Sequence, residues 1–241
     1  MYFFKNSKTY LKIKIAFWEV IHDPATTIAL GSVVMSYAMG GLEAVVLNAA
    51  AVTLIGGLKV YEVWTGKEKG RPFGALACVN FATAASIAFK GFEQHGIDPA
   101  IIPQASVALA YILWGTRSTL LSLQQRFNFK HKSFRGDPQF YQGLGAVATA
   151  PSVGGIPAFI GILGVARTFK QNVKGIFLRH ATAARLYAIQ YAVSTSITLF
   201  LNKPEEALAW AIWTWAFSRF DRDKDQELIN IMKQKLNRKF S

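Results

Sequence analysis

The chain of 241 residues is 51% hydrophobic and only 17% charged, and its mean hydropathy is +0.22. Apolar runs that approach the ~20 residues needed to cross a bilayer recur along its length, which excludes an ordinary soluble domain. The formal net charge is +13, but the basic residues lie between the apolar runs, where the positive-inside rule explains them, so no nucleic-acid partner is expected. The composition therefore predicts an all-α, polytopic helical membrane protein.

The placement of the apolar runs predicts two membrane halves. The first half covers residues 1–117 and the second covers residues 139–219, and a polar, basic linker at 118–138 is expected on the cytoplasmic side. Residues 220–241 predict a basic cytoplasmic tail. The linker and tail favour contact with membrane lipids, in particular anionic headgroups at the cytoplasmic face. The apolar runs occupy 24–39, 42–64, 73–89, 99–116, 141–166, 182–201 and 205–218.

The N-terminal stretch before the first run is basic and aromatic. It has no apolar core followed by a cleavage site, as a secretory signal peptide would. We therefore expect it to lie at the membrane interface and to lead into the first segment. Its scattered lysines are Lys5, Lys8, Lys12 and Lys14.

Residues 143–169, which read GLGAVATAPSVGGIPAFIGILGVARTF, are either one kinked membrane segment or a hairpin of two. With a hairpin, nearly all of the 27 lysines and arginines fall on one side of the membrane, and Lys90 and Lys203 fall on the other. With a single kinked segment the basic residues divide almost evenly between the two sides. The positive-inside rule therefore favours the hairpin.

The length of this stretch limits the hairpin. Two segments of about half its length are too short to cross ~30 Å of hydrocarbon fully. A re-entrant hairpin, which enters from the cytoplasm and returns, would keep the same charge distribution. The sequence thus predicts seven or eight membrane segments, with a short or re-entrant hairpin at 141–168.

The sequence also indicates an internal duplication. A shift of 114 positions places ALGSV (29–33) on GLGAV (143–147) and Gly40-Gly41 on Gly154-Gly155, and a shift of 105 continues the match after a nine-residue deletion. Each half would have four segments, and four is an even number. The two halves are therefore predicted to be parallel repeats about an axis along the membrane normal.

Polar residues within the predicted segments are candidates for a solute pathway, because such residues are costly in lipid and often mark functional sites. For each of them, a helix–helix hydrogen bond or an interfacial anchor is the alternative. Backbone groups freed at the broken hairpin are further candidates, although a merely shortened hairpin would explain the same residues. The candidates are Glu43, Asn48, Asn80, Gln104, Gln190, Pro151, Gly154, Gly155 and Pro157.

No catalytic, metal-binding or cofactor-binding motif is recognisable in the sequence. Asp221-x-Asp223-x-Asp225 begins like a calcium-binding loop, but the glycine and glutamate that such a loop requires are missing. Cys78, the single cysteine, can form neither an internal disulfide nor a cysteine metal site, and we expect it to pack in the core. Trp210 and Trp213 share a helix face, and we expect both to pack in the protein or to lie in a lipid-facing aromatic belt. We therefore expect a protein that is not an enzyme.

Two functions remain open from the sequence. The first is a transporter or channel for a small solute, with a pathway between the two halves. The second is a non-catalytic structural or assembly subunit of a membrane complex, so membrane-complex partners or a homo-oligomer are both open. The expected location is the bacterial inner (plasma) membrane with both termini in the cytoplasm, and an organelle inner membrane is the alternative.

Overall fold

A computed structural model describes residues 8–67, 69–127, 138–174, 181–219, 231 and 234. These residues form an all-α structure, in which short 3₁₀ turns at Pro99–Ile101 and Ala150–Ser152 accompany nine α-helices of the described residues. Residues 128–137 of the linker at 118–138, and the tail at 220–241 apart from residues 231 and 234, lie outside the described residues. The helices are α1 (Lys8–His22), α2 (Pro24–Met39), α3 (Gly41–Thr65), α4 (Phe73–His95), α5 (Ile102–Phe127), α6 (Pro138–Thr149), α7 (Gly155–Lys174), α8 (Ala181–Phe200) and α9 (Pro204–Ser218).

Three helices are long and apolar enough to cross a bilayer. They are Gly41–Thr65, Phe73–His95 and the continuous helical stretch Pro99–Phe127, and all three belong to the first half of the chain. Pro24–Met39 and Gly155–Arg167 are apolar but shorter. The structure is therefore compatible with a helical membrane protein. In this structure α5 continues to Phe127, ten residues beyond residue 117, where the first half was predicted to end.

Helix boundaries follow from proline, glycine and capping residues. Asp23 caps α2, because its Oδ2 atom accepts a hydrogen bond from the Thr26 backbone N–H at 3.0 Å, and Pro24 follows at the first helical position. Gly66 ends α3 in the left-handed conformation, with φ of 70°. The boundaries predicted from the apolar runs therefore agree with the described helices to within a few residues at most positions.

The helices α2 to α9 form a closed ring. Each helix packs against the next one in the chain, and α9 returns to pack against α2, while α1 lies outside the ring against α3 and α2. Lys12 on α1 donates a hydrogen bond to the Trp64 carbonyl oxygen at 2.7 Å. Every helix of the ring thus packs against two neighbouring helices, and these contacts bury its packing face.

The broken stretch at 143–169 is a helical hairpin. A Cβ atom built on Gly143 would lie 3.0 Å from Val165 Cγ2, and one built on Gly161 would lie 3.1 Å from Val147 Cγ2. These contacts move in opposite directions along α6 and α7, so the two helices are antiparallel. The turn between them includes Gly154, whose φ of 138° is a conformation that other residues rarely adopt.

The ring has two chemically different ends. Pro24, Phe73 and Gln142, which lie at or near the starts of α2, α4 and α6, line one cavity, so these helices begin at the same end of the ring. We call it the basic end, and its described basic residues include Lys67, Lys69, Arg71, Arg117 and Arg126. The turns that join α2 to α3, α4 to α5, α6 to α7 and α8 to α9 lie at the opposite end, the far end.

Aromatic side chains fill the space where α5 meets α8 and α9. The indole rings of Trp114 and Trp213 pack edge to face, with centroids 5.3 Å apart. Tyr191 stacks on Trp210 and also packs against Trp213. These rings are almost completely buried, so the expectation of packing holds for Trp210 and Trp213.

Each of the indoles Trp114 and Trp213 fits onto a glycine of another helix. Trp114 of α5 packs against Gly145 of α6, and its Nε1–H donates to the Gln142 carbonyl oxygen at 3.4 Å. Trp213 of α9 packs against Gly31 of α2, and its Nε1–H donates to the carbonyl oxygen of residue 28 at 3.0 Å. In both cases the acceptor lies three residues before the glycine. The two contacts therefore have the same local design.

Cys78 corrects one sequence expectation, because it is exposed rather than packed in the core. The buried stripe of α4 runs through Ala77, Ala84, Ile87 and Gly91, at the spacing of one helix face. Cys78 follows Ala77 in the chain but lies outside that stripe and is exposed. The hydropathy of an apolar run does not indicate which of its positions face the protein and which face outward.

Candidate functional site

A cavity of about 170 Å³ lies among α2, α3, α4 and α5, and we call it the first-half cavity. Its walls are largely apolar and include Ile28, Ile55, Leu76 and the indole of Trp114. It reaches the basic end of the ring, where the start of α6 also contributes. The polar and charged residues of its lining include Ser32, Asn48, Arg71, Asn80, Arg117 and Ser118.

Asn48 lies at the deep end of this cavity and is only 2% exposed. Its Nδ2 atom lies 3.0 Å from Ser36 Oγ on α2, 2.8 Å from Thr83 Oγ1 on α4 and 2.9 Å from the Ala44 carbonyl oxygen. Because a carbonyl oxygen can only accept, the amide nitrogen must face Ala44, which fixes the orientation of the side chain. Asn48 therefore connects three helices, and we call this group the Asn48 clasp.

The oxygen atom of the Asn48 amide, Oδ1, accepts no hydrogen bond within the described part of the chain. Asn48 lines the cavity, and its Oδ1 atom is not among the buried polar atoms that lack a partner, so this oxygen can accept a hydrogen bond from a donor in the cavity. This gives the deep end of the cavity one free acceptor.

At the basic end, Arg71 and Asp23 form an ion pair. Arg71 Nη2 lies 2.6 Å from Asp23 Oδ1, and the Asp23 side chain is only 6% exposed, whereas that of Arg71 is 41% exposed. Asp23 Oδ2 accepts from both the backbone N–H and the hydroxyl of Thr26. Both oxygens of the carboxylate are therefore occupied, and Asp23 anchors Arg71 where the loop after α3 meets the start of α2.

Between these two ends, Asn80 and Ser118 face each other across α4 and α5. Asn80 Nδ2 lies 3.5 Å from Ser118 Oγ, at the limit of a hydrogen bond. Arg117 adds a second guanidinium to the lining. The cavity thus combines an apolar wall with a few convergent polar groups, which is the usual composition of a small-molecule site.

Only two of the residues predicted as pathway candidates line this cavity, namely Asn48 and Asn80. Glu43 is exposed in the first turn of α3, at the far end. Gln104 lies near the far end of α5, where its Nε2 atom is 3.4 Å from His95 Nε2. Neither of these residues is near the first-half cavity.

The other predicted candidates lie in the second half. Gln190 is fully buried on α8, and its Nε2 atom donates to the Ala146 carbonyl oxygen of α6 across Gly161 of α7. It therefore connects helices, which was the alternative stated for it. The remaining candidates form or flank the hairpin turn at the far end, away from the cavity: Pro151, Gly154, Gly155 and Pro157.

Sequence reasoning missed Arg71, Asp23, Arg117 and Ser118. Arg71 and Arg117 were counted only among the basic residues that the hairpin topology gathers on one side of the membrane. The available signal was Asp23 directly before Pro24, because an N-cap carboxylate is held at a defined position near the helix start. The identity of its partner depends on the tertiary packing and could not be read from spacing.

In comparisons with known proteins, no family model, no curated protein and no solved structure matches this chain. The function therefore has to be argued from the geometry of the site.

Proposed function

We propose that the chain is a membrane transporter or channel for a small solute and that the first-half cavity is its solute site. The observation that carries this proposal is a cavity that reaches the basic end and stops at a buried polar clasp. Intramembrane polar groups that line a cavity are typical of solute pathways. The cavity lies inside the first half, whereas aromatic rings occupy the space between the halves, so the pathway is assigned to α2–α5.

The proposed architecture has eight membrane segments in two parallel halves, α2–α5 and α6–α9. The two tryptophan–glycine contacts support it. Gly31 and Gly145 differ by 114 positions, and so do the two carbonyl acceptors, Ile28 and Gln142. The tryptophan comes in each case from the last helix of the other half. Such a reciprocal arrangement is expected of two related halves that face each other across a pseudo-twofold axis.

The proposed orientation places the basic end in the cytoplasm of a bacterial inner membrane, with both termini on that side. Lysines and arginines concentrate at this end, whereas Glu43, Glu93 and Asp98 lie at or near the far end. The positive-inside rule assigns basic segments to the cytoplasm. Anionic lipid headgroups are the proposed partners of these basic side chains.

In this proposal the described conformation is open towards the cytoplasm and closed towards the far end. The Asn48 clasp joins α2, α3 and α4, and the buried side chains of Met39 and Ile87 lie beyond it, towards the far end. Passage of a solute would require these three helices to separate at the clasp. The interhelical hydrogen bonds of one amide group to Ser36 and Thr83 are of modest strength, so such a movement has a low barrier.

Uptake into proteoliposomes tests the proposal. A panel of labelled anionic, neutral and cationic solutes of up to about nine non-hydrogen atoms matches the size of the cavity. At least one solute should be taken up, and Ala51→Phe should abolish its uptake because Ala51 is buried in the cavity wall. Ala50→Phe is the matched control, since the neighbouring Ala50 is exposed on the same helix.

Two results would contradict the transport proposal. If Ala51→Phe and Ala50→Phe lowered uptake equally, the first-half cavity would not be the solute site. A lack of uptake across the panel, together with co-purification of a stoichiometric partner protein in mild detergent, would favour a structural or assembly subunit of a membrane complex.

A further inference from the structure

We propose that the first-half cavity binds a small organic carboxylate, with Arg71 as the ligand of the carboxylate and Asn48 Oδ1 as the acceptor for a donor group on the solute. This inference rests on the proposed function in that it uses the same cavity. It concerns binding, however, and it can be tested without any measurement of transport.

Arg71 has the donors that a carboxylate requires. Its guanidinium carries five N–H groups, of which one donates to Asp23 at 2.6 Å. The described residues provide no other hydrogen-bond partner for this side chain. The planar fork of a guanidinium can hold a carboxylate through two parallel hydrogen bonds.

Asp23 holds Arg71 in place without competing for the solute. Its Oδ1 atom accepts from Arg71 and its Oδ2 atom accepts from Thr26, so the carboxylate has a partner at each oxygen. The side chain is nearly buried at the start of α2, where both oxygens are hydrogen-bonded. An arginine that is fixed by a neighbouring carboxylate loses less conformational entropy when it binds a second anion.

The dimensions of the cavity limit the size of the solute. A dry protein cavity of about 150 Å³ accommodates benzene, so a cavity of this size with an open mouth accommodates about six to nine non-hydrogen atoms. Along α4, the distance from Phe73 near Arg71 to Thr83 at the clasp is about 15 Å. A carboxylate at the arginine can therefore extend an apolar body along Ile28, Leu76 and Trp114 towards Asn48.

The same dimensions argue against two other anions. A phospholipid headgroup carries acyl chains that a cavity of about 170 Å³ has no room to enclose. Inorganic phosphate has no apolar part to bury against the walls, and its second charge would lie against aliphatic side chains. A small organic monoanion satisfies both the guanidinium and the apolar walls.

Isothermal titration calorimetry on the purified full chain in zwitterionic nanodiscs tests the proposal directly. The probes are butyrate, hexanoate, 6-hydroxyhexanoate and benzoate, with benzamide as the neutral match for benzoate and inorganic phosphate as the competing anion. The hydroxyl group of 6-hydroxyhexanoate supplies the donor for Asn48 Oδ1, so this probe should bind more tightly than hexanoate. At least one carboxylate should bind, and benzoate should bind about 10- to 100-fold more tightly than benzamide because benzamide makes no charge-assisted pair. Exchange of the nanodisc lipid for an anionic one should leave carboxylate binding unchanged.

Variants identify the ligand residue. Arg71→Gln should weaken carboxylate binding about 10- to 100-fold and leave benzamide binding unchanged. Arg126→Gln removes an exposed arginine from the end of α5 and serves as the matched control. If Arg71→Gln fails to fold because Asp23 loses its partner, Arg71→Gln combined with Asp23→Asn keeps the test available, since asparagine still caps α2.

The possible results separate this inference from the transport proposal. Carboxylate binding that depends on Arg71 supports the inference even if no solute is transported. Uptake of a neutral solute without binding of any carboxylate overturns the inference and leaves transport standing. Phosphate binding as tight as that of the carboxylates, or competition by anionic lipid, also overturns it.

Discussion

Alanine at Gly145 should destabilise the protein strongly, because the glycine leaves room for an indole ring. A Cβ atom on Gly145 would lie 2.6 Å from Trp114 Cδ1 and 2.9 Å from Cε2. Trp114 is only 6% exposed and is held by Tyr111 and Trp213, so it cannot move aside freely. Overpacking of this kind costs about 1–3 kcal/mol, and loss of the indole hydrogen bond to Gln142 adds about 0.6–1.7 kcal/mol.

Unfolding by a denaturing detergent, or steric trapping in bicelles, measures this change. Gly145→Ala should lower the free energy of unfolding by about 2–4 kcal/mol. Gly57→Ala is the control, because a Cβ atom there meets nothing within 4 Å, and it should be neutral or stabilising by up to about 1 kcal/mol. In a double-mutant cycle, Trp114→Ala should relieve at least about 1 kcal/mol of the Gly145→Ala cost. Equal effects of the two glycine substitutions, or strict additivity in the cycle, would refute the reasoning.

Three further predictions concern the clasp, the second half and the cysteine. Asn48→Ala should lower the free energy of unfolding by about 1–2 kcal/mol because it removes the buried amide group that joins α3 to α2 and α4, and Thr53→Ala, which removes an exposed bond within one helix, should cost under about 0.5 kcal/mol in the same denaturation assay. Gln190→Leu should lower the stability by about 0.6–1.7 kcal/mol but leave solute uptake unchanged, since Gln190 lies outside the cavity lining; slowed uptake would contradict this placement. Cys78 should react in membranes with a lipid-soluble maleimide and resist a charged one, and mass spectrometry that finds rapid modification by the charged reagent would show that this face of α4 is in water.

The helices could be predicted from the sequence because their boundaries are set locally. Proline after Asp23 starts α2, and glycines at positions 66 and 96 end α3 and α4. The hairpin at 143–169 was also predicted, because the charge distribution on either side of it depends on the number of segments. Such features need no knowledge of which helices are neighbours.

The candidate site could be predicted only in part, because much of it depends on tertiary packing. Asn48 and Asn80, which line the first-half cavity, were singled out because a polar residue in an apolar helix is conspicuous in any fold. Arg71 looked like an ordinary loop charge, because its pairing with Asp23 joins residues 48 positions apart. The tryptophan–glycine contacts span 185 positions in one case, and helix periodicity carries no information about such distances.

Cavity-directed thiol modification tests the central proposal most directly. In a Cys78→Ala background, a single cysteine at Ser118 lines the first-half cavity, whereas one at Ile97 is exposed at the far end. A charged thiol reagent applied from the basic end of the protein in proteoliposomes should modify position 118 and abolish uptake of the solute found in the panel, and modification at position 97 should leave uptake unchanged. Uptake that persists after complete modification at Ser118 would contradict the assignment of the cavity as the solute site.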